Sequence, residues 1–353
     1  MGRGLRLRSR LHRRGPVPAA RRARRAAGHR SRGDRGCGHA SRLCADRGKG
    51  AVHAAAALAP RRRGAADRPL AARRHALAGG AAARDPSAAE EPRGTACATL
   101  AEAAAVNVFA LGSGDAFCSE GRGHTCWLIE DDRGLAAVDF GATALQALKR
   151  LGKEPQELGA IHFTHLHGDH TAGWPFLLVD AVYRARRTAA LVVSGPPGAR
   201  ETLQALWSAC YATAAKEPLP FPVEFHELSP GSEKQLAGRS VRAFAARHMR
   251  PPHVALSLRI GEVAFTGDTG SHEGLADLFR GARAICAECT NLEAGDEKHL
   301  SWSELRSLLP KVPVLLGHLG SGPRAARAEI EREARTLGLD VQLCDDLDQI
   351  SLW

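Results

Sequence analysis

No stretch of this 353-residue chain approaches the roughly 18 consecutive apolar residues of a membrane span, which excludes an integral helical membrane protein. The twin arginines Arg21-Arg22 and Arg24-Arg25 lack the apolar segment of a signal peptide after them, so a soluble cytoplasmic protein is expected. A disulfide framework is missing as well: nine cysteines are scattered along the chain, three of them in or near the leader, and a reduced protein follows. Cys286-Ala287-Glu288-Cys289 has the spacing of a redox or zinc pair, but it lies in an apolar strand-like run with no second pair and reads as buried thiols. Residues 1–105 are almost devoid of aromatic and β-branched side chains and run instead through Ala, Arg, Gly and Pro. Such a segment has nothing to bury, and a disordered leader is expected. Its Arg-rich, acid-poor composition fits an organellar transit peptide or the translation of GC-rich DNA upstream of a true start, the second being favoured.

The net charge of +11 would by itself suggest a nucleic-acid or membrane-surface partner. Its distribution removes that argument. Residues 1–105 hold 24 Lys and Arg against 7 Asp and Glu, whereas residues 106–353 hold 25 against 31, so the part able to fold is acidic.

From Val106 onward, short apolar runs bounded by turns predict strands at Val106–Leu111, Thr125–Glu130 and Leu135–Phe140, then a helix from Ala142 to Leu151. Further strands are expected at 159–163, Ala190–Ser194, Val223–Leu228, Val241–Arg247, Val254–Ile260, Val263–Thr266, Ala284–Glu288 and Val312–Leu316. Helices are expected around Trp174–Val182 and over Arg200–Ala214, Trp302–Leu309 and Arg324–Leu337. Some 248 residues suffice for one large core, and two sheets covered by outer helices, an α/β fold of αββα sandwich type, account for the pattern.

The chemistry concentrates in Thr164-His165-Leu166-His167-Gly168-Asp169-His170, which follows the apolar run 159–163. Packing has no use for three imidazoles and a carboxylate at this density, whereas zinc takes such ligands, with manganese or iron as alternatives. His162, just upstream, reads as structural. Four ligands from one loop can divide between two adjacent ions, each needing further ligands from elsewhere. Later strand ends supply candidates: His248, Asp268 in Phe265-Thr266-Gly267-Asp268-Thr269-Gly270, and His318 in Gly317-His318-Leu319-Gly320. His253 competes with His248, which is preferred.

These motifs over residues 106–353 resemble the metallo-β-lactamase-fold hydrolases, and most of all the ribonuclease Z group. Phe109–Gly114 with Gly121-Arg122-Gly123-His124-Thr125 is similar to that group's amino-terminal signature, and Val138-Asp139-Phe140-Gly141 to the aspartate that braces the metal loop. The resemblance implies that His165, His167 and His248 hold one divalent metal, that Asp169, His170 and His318 hold another, and that Asp268 bridges them. It also implies a metal-bridging hydroxide as the nucleophile. The true β-lactamases usually carry a cysteine in place of Asp268. Glu288-Cys289-Thr290-Asn291 and Lys298-His299-Leu300-Ser301 resemble the group's Glu-Ala-Thr and His-Ser elements. Their glutamate and histidine handle a proton beside the metals, which makes Glu288 and His299 candidate catalytic residues alongside Asp169.

Two departures bear on the substrate. Only Gly261 and Glu262 separate Ile260 from Val263, where transfer-RNA-processing relatives carry a substrate-gripping arm, and the group's His-x-Ser-x-Arg-Tyr ending is missing after His318. A small ester or phosphodiester is therefore the expected substrate. Transfer-RNA 3′ processing, with RNA as partner, is an alternative, as are thioester or lactone hydrolysis and a metal-bound scaffold without turnover. A homodimer is compatible with the sequence.

Overall fold

The computed structural model describes residues 105–352, so the leader expected to be disordered lies outside the described residues but for its last position. Alternating apolar side chains set the architecture from β1 onward. In β1 (Val106–Gly112), Val108 and Ala110 face one core while Phe109 and Leu111 face another, and β2 (Cys126–Asp131) divides Trp127 and Ile129 from Cys126 and Leu128 in the same way. A strand buried on both faces belongs to the interior of a layered sandwich.

β1, β2 and β3 (Gly134–Val138) form an antiparallel meander, to which β4 (Leu158–His162), β5 (Leu191–Gly195) and β6 (Val223–Glu227) add in parallel. The second sheet repeats the plan. β7 (Glu233–Leu236), β8 (Arg239–Ala245), β9 (Leu256–Ile260) and β10 (Val263–Phe265) run antiparallel to their neighbours, and β11 (Ala284–Glu288), β12 (Pro313–Gly317) and β13 (Asp340–Leu343) follow in parallel. The last strand, β14 (Gln349–Leu352), returns to the first sheet and pairs with β1 in the register Val106↔Leu352. Each sheet has seven strands among the described residues.

Helices α1 (Ala144–Arg150), α2 (Gly168–Thr171), α3 (Trp174–Val179) and α4 (Ala199–Cys210) belong to the first half, and α1, α3 and α4 cover the outer face of its sheet through Leu148, Trp174, Leu178, Leu203 and Trp207. On the far side, α5 (Leu275–Phe279), α6 (Trp302–Leu308) and α8 (Arg327–Leu337) bury Leu278, Trp302, Leu305 and Ile330 against the second sheet, α7 (Ser321–Ala325) preceding α8. Between the sheets lies a third apolar layer with Val108, Trp127, Leu258, Phe265 and Leu315. Each fully buried Leu or Phe contributes about 1.5–3 kcal/mol. The αββα expectation holds.

Several boundaries differ from the expectation. The helix expected over Arg200–Ala214 ends at Cys210, and that over Arg324–Leu337 breaks at Ala326 into α7 and α8. β7, β13, β14 and α5 are short elements that the apolar pattern does not announce. Cys286 and Cys289 are free and buried, as read from the sequence. His162 is buried with Nδ1 2.8 Å from Ser194 Oγ, a structural place. No helix among the described residues is long and apolar enough to cross a membrane.

Candidate metal centre

The carboxyl ends of β3, β4, β8, β10, β11 and β12 meet at one rim of the sandwich, where parallel strands present their following loops. Asp139, directly after β3, takes a left-handed backbone conformation (φ 61°), which aspartate tolerates better than most residues. Its Oδ1 accepts from the Thr164 N–H at 2.8 Å, and its Oδ2 receives the Thr164 hydroxyl and His170 Nδ1, each at 2.8 Å. One buried carboxylate thus fixes the loop after β4 and turns His170 Nε2 toward the rim. Gly141 lets the loop approach this closely: a Cβ there would lie 1.9 Å from the Asp169 carbonyl oxygen.

In that loop His165 Nε2 lies 3.1 Å from His167 Nδ1, which in turn is 3.0 Å from His248 Nε2 of the β8–β9 connection. The backbone carbonyl of Lys298 orients His248 through Nδ1 at 3.1 Å. His253 is exposed and outside this cluster, so the structure brings in His248, as preferred. A second cluster lies alongside. His170 Nε2 is 3.2 Å from Asp169 Oδ2 and 3.3 Å from Asp268 Oδ2, and His318 Nε2 is 3.1 Å from Asp268 Oδ2. The same Asp268 oxygen is 3.8 Å from His165 Nε2 and 3.9 Å from His248 Nε2, so it faces both clusters. All seven residues singled out as ligands in the sequence converge here, from both sheets. Within each cluster the donor atoms lie within 4.8 Å of one another, as a bound ion requires.

The donors suit a divalent metal. Imidazole lone pairs at 3.0–3.1 Å repel unless a cation or proton lies between them. His170 Nε2 and His318 Nε2 are buried without a hydrogen-bond partner, the nearby carboxylates being misaligned for one. Electrostatics divide the rim in two. Burial first, then neighbouring imidazoles, keep His165 well below its ordinary pKa, and burial lowers His248 to about 4, so both offer neutral lone pairs. Burial alone would lower His318 also, but the Asp268 carboxylate raises it to about 10; His170 is likewise raised well above its ordinary value against burial, by Asp268 and then Asp139.

Glu288 ends β11 in a buried position, and His299 follows in the loop before α6, its side chain 21% exposed. Glu288 Oε1 accepts the Thr269 N–H, and Oε2 lies 3.0 Å from His299 Nδ1. Burial would lower His299, but the Glu288 carboxylate outweighs it and raises the ring above its ordinary pKa. His299 stacks on His318 with centroids 5.3 Å apart and planes 14° apart. Thr290, which the sequence reading quoted only as part of a motif, ties these groups together. Its hydroxyl donates to Glu288 Oε2 and lies 2.8 Å from His318 Nδ1. Only its place two residues after Glu288 signals this role in the sequence.

The family model described as Anti-Pycsar protein Apyc1 matches residues 106–329, well over half of the chain. The chain belongs to the Anti-Pycsar protein Apyc1 family. This Apyc1-family chain is also similar to ribonuclease Z of Mycobacterium marinum, 29% identical over 193 residues that span 51% of this chain and 69% of the relative. Among solved structures, the metallo-β-lactamase fold protein YhfI from Bacillus subtilis matches with a TM-score of 0.58 at 17% identity, covering 70% of this chain and all of that one. Human tRNase Z, short form, matches with a TM-score of 0.53 at 21% identity, over 69% and 98% of the two chains. The resemblance drawn from the motifs holds: the Apyc1-family chain is a metal-dependent hydrolase of the metallo-β-lactamase fold, ribonuclease Z-like in sequence.

Proposed function

We propose that this chain is a phosphodiesterase that works with two divalent metal ions, zinc in first place, on a small phosphodiester or related ester. His165, His167 and His248 would hold one ion and Asp169, His170 and His318 the other, with Asp268 shared. Two ions so held supply Lewis acidity and lower the pKa of water toward neutrality. Asp169, its side chain 12% exposed against 3% for Asp268, would accept a hydrogen bond from the attacking water. Asp139 and Thr290 hold His170 and His318 in register.

The observation that carries the reading is the Glu288–His299 pair stacked on His318. Glu288 engages Nδ1, which leaves Nε2 to give its proton to the leaving oxygen. A thioester substrate needs no such donor, because a thiolate leaves without protonation. The ribonuclease Z relatives favour an RNA substrate as the second reading, but the Gly261-Glu262 turn between β9 and β10 carries no arm to grip transfer RNA.

The test is leaving-group dependence. His299→Ala should slow cleavage of an alkyl phosphodiester by about 10²–10⁴-fold. It should slow a nitrophenyl phosphodiester far less, because nitrophenolate leaves without protonation, while metal content stays constant. Equal losses on both substrates would assign His299 to binding or structure and remove the general-acid step.

A further inference from the structure

The segment before His299 is fastened to the rim from three sides. An Asp296 carboxylate oxygen accepts the Lys298 N–H at 2.8 Å, and the Lys298 carbonyl oxygen lies 3.1 Å from His248 Nδ1. The chain also rests directly on Gly270, where a Cβ would lie 2.0 Å from the Glu297 carbonyl oxygen and 3.1 Å from the Lys298 nitrogen. The backbone of Lys298 is therefore fixed beside an imidazole of the first cluster, while its side chain is exposed to solvent.

The Lys298 ammonium has no hydrogen bond or ion pair among the described residues. Three cations of the surrounding loops are, by contrast, engaged: Arg122 with Asp345 at 2.8 Å, Arg247 with the Ser271 carbonyl at 3.1 Å and Arg324 with the Ser113 carbonyl at 3.0 Å. The acidic neighbours of Lys298 do not neutralise it. Asp296 is occupied by the Lys298 N–H and by Asn291 Nδ2, and the exposed Glu297 forms no ion pair with it. The free charge reaches the first cluster, of which His167 is the exposed member. Burial first, with His170 and Lys298 adding to it against Asp169 and Asp268, keeps that ring below its ordinary pKa. An ammonium is a compact charge on a flexible stem, suited to meet an anion arriving from solvent.

We propose that Lys298 determines specificity for an anionic substrate: its ammonium pairs with a phosphoryl oxygen of a phosphodiester at the rim, a contact that a neutral carboxylic ester or thioester cannot make. The inference rests on the phosphodiesterase reading of the same site and deepens it, since the metal ligands by themselves do not choose among esters. Lys298 takes no part in the proton transfer assigned to His299. Its place is in binding, and a charge at the mouth of the site also steers anions toward it.

Binding tests the contact without turnover. Dimethyl phosphate, an anion, and trimethyl phosphate, its neutral match, are titrated separately into the metal-loaded full chain and followed by phosphorus NMR. Lys298→Gln should bind dimethyl phosphate about tenfold more weakly than wild type. Lys298→Arg should restore most of the affinity, and trimethyl phosphate should bind all three proteins alike. The backbone contacts of Lys298 survive both substitutions, and unchanged metal content confirms that the clusters are intact. Equal affinity of wild type and Lys298→Gln for dimethyl phosphate would overturn the proposal, as would equal losses for the two phosphates. With methyl nitrophenyl phosphate as substrate, Lys298→Gln should raise KM about tenfold with little change in kcat. Its kcat/KM should also fall less steeply with salt than that of wild type. A loss confined to kcat, with KM and salt dependence unchanged, would make Lys298 a support for His248 and His299 and overturn the specificity role. Absence of wild-type turnover on this diester would sink the phosphodiesterase reading, and the dimethyl phosphate titration would still decide the Lys298 contact.

Discussion

Asp139 meets the rim directly at His170 and indirectly at His165, through the Thr164 hydroxyl 3.1 Å from His165 Nδ1, and it carries three hydrogen bonds on one buried carboxylate in a left-handed backbone conformation. A group that orients a ligating imidazole and raises its basicity typically changes metal affinity by about 10–100-fold. Asp139→Asn keeps the size and one acceptor, so the loop should survive while His170 loses the partner of its Nδ1–H. Metal titration should show affinity for one ion falling by about that factor, with the other less affected. An unchanged profile for both would mean that the loop backbone alone sets the His170 orientation. Asp139 was legible in the sequence because Val-Asp-Phe-Gly ends an apolar strand, and the metal loop because its ligands are contiguous. Thr290 was not, because a threonine in a strand-end segment has the same appearance whether its hydroxyl is free or shared by Glu288 and His318. The choice between His248 and His253 turned on a connection that includes Pro251-Pro252, where neither periodicity nor spacing gives a side-chain direction.

Elements were readable in proportion to their apolar content. β4, β11 and β12 carry near-continuous apolar runs, as buried parallel strands do, whereas β7 (EKQL), β13 (DVQL) and β14 (QISL) are short edge or near-edge strands with one or two core residues each. Pairing partners far away in sequence decide these, and no local pattern records the partners. The extension of α3 is similar. A wider π turn spans Asp180–Arg184, and nothing in its sequence distinguishes it from ordinary helix. The side chain of Asp180 is 7% exposed, and it receives Lys149 of α1 and Arg184 Nε, the latter at 2.7 Å. Burial would raise its pKa, but the two cations win and lower it. An aspartate depressed in the folded state stabilises above its unfolded pKa, and that contribution disappears as pH falls through the folded value. Asp180→Asn should therefore cost about 1–3 kcal/mol near neutral pH. The gap from wild type should close below about pH 4, near the ordinary aspartate value. Denaturant unfolding across pH checks this, and a gap independent of pH would assign the cost to packing.

At the scale of the molecule, the metal clusters draw ligands from both sheets. We propose residues 106–353 as the hydrolase domain and 1–105 as a leader without a part in the site. A chain beginning at Ala105 should melt cooperatively and keep the metal content and turnover of the full chain. Loss of a cooperative transition, measured by calorimetry, would move the boundary toward the amino terminus. Fold class was legible because two successive sets of strands and helices, each long enough to cover a sheet, admit few layered arrangements. The order of strands within the sheets was not, since it depends on the return of the final segment.

That return has a consequence for synthesis. β14 pairs with β1 along Val106–Phe109, so the first strand of the domain finds its outer neighbour only when the last strand has been made. During translation β1 can join β2 and β3, but its other side remains an open row of backbone donors and acceptors, a template for strands of other chains. Contacts so distant in sequence form late and slowly. The vulnerable interval for this protein is thus the wait between the emergence of Val106 and that of Leu352, and a chaperone or a slow ribosome would act on that interval more than on the stability of the finished fold.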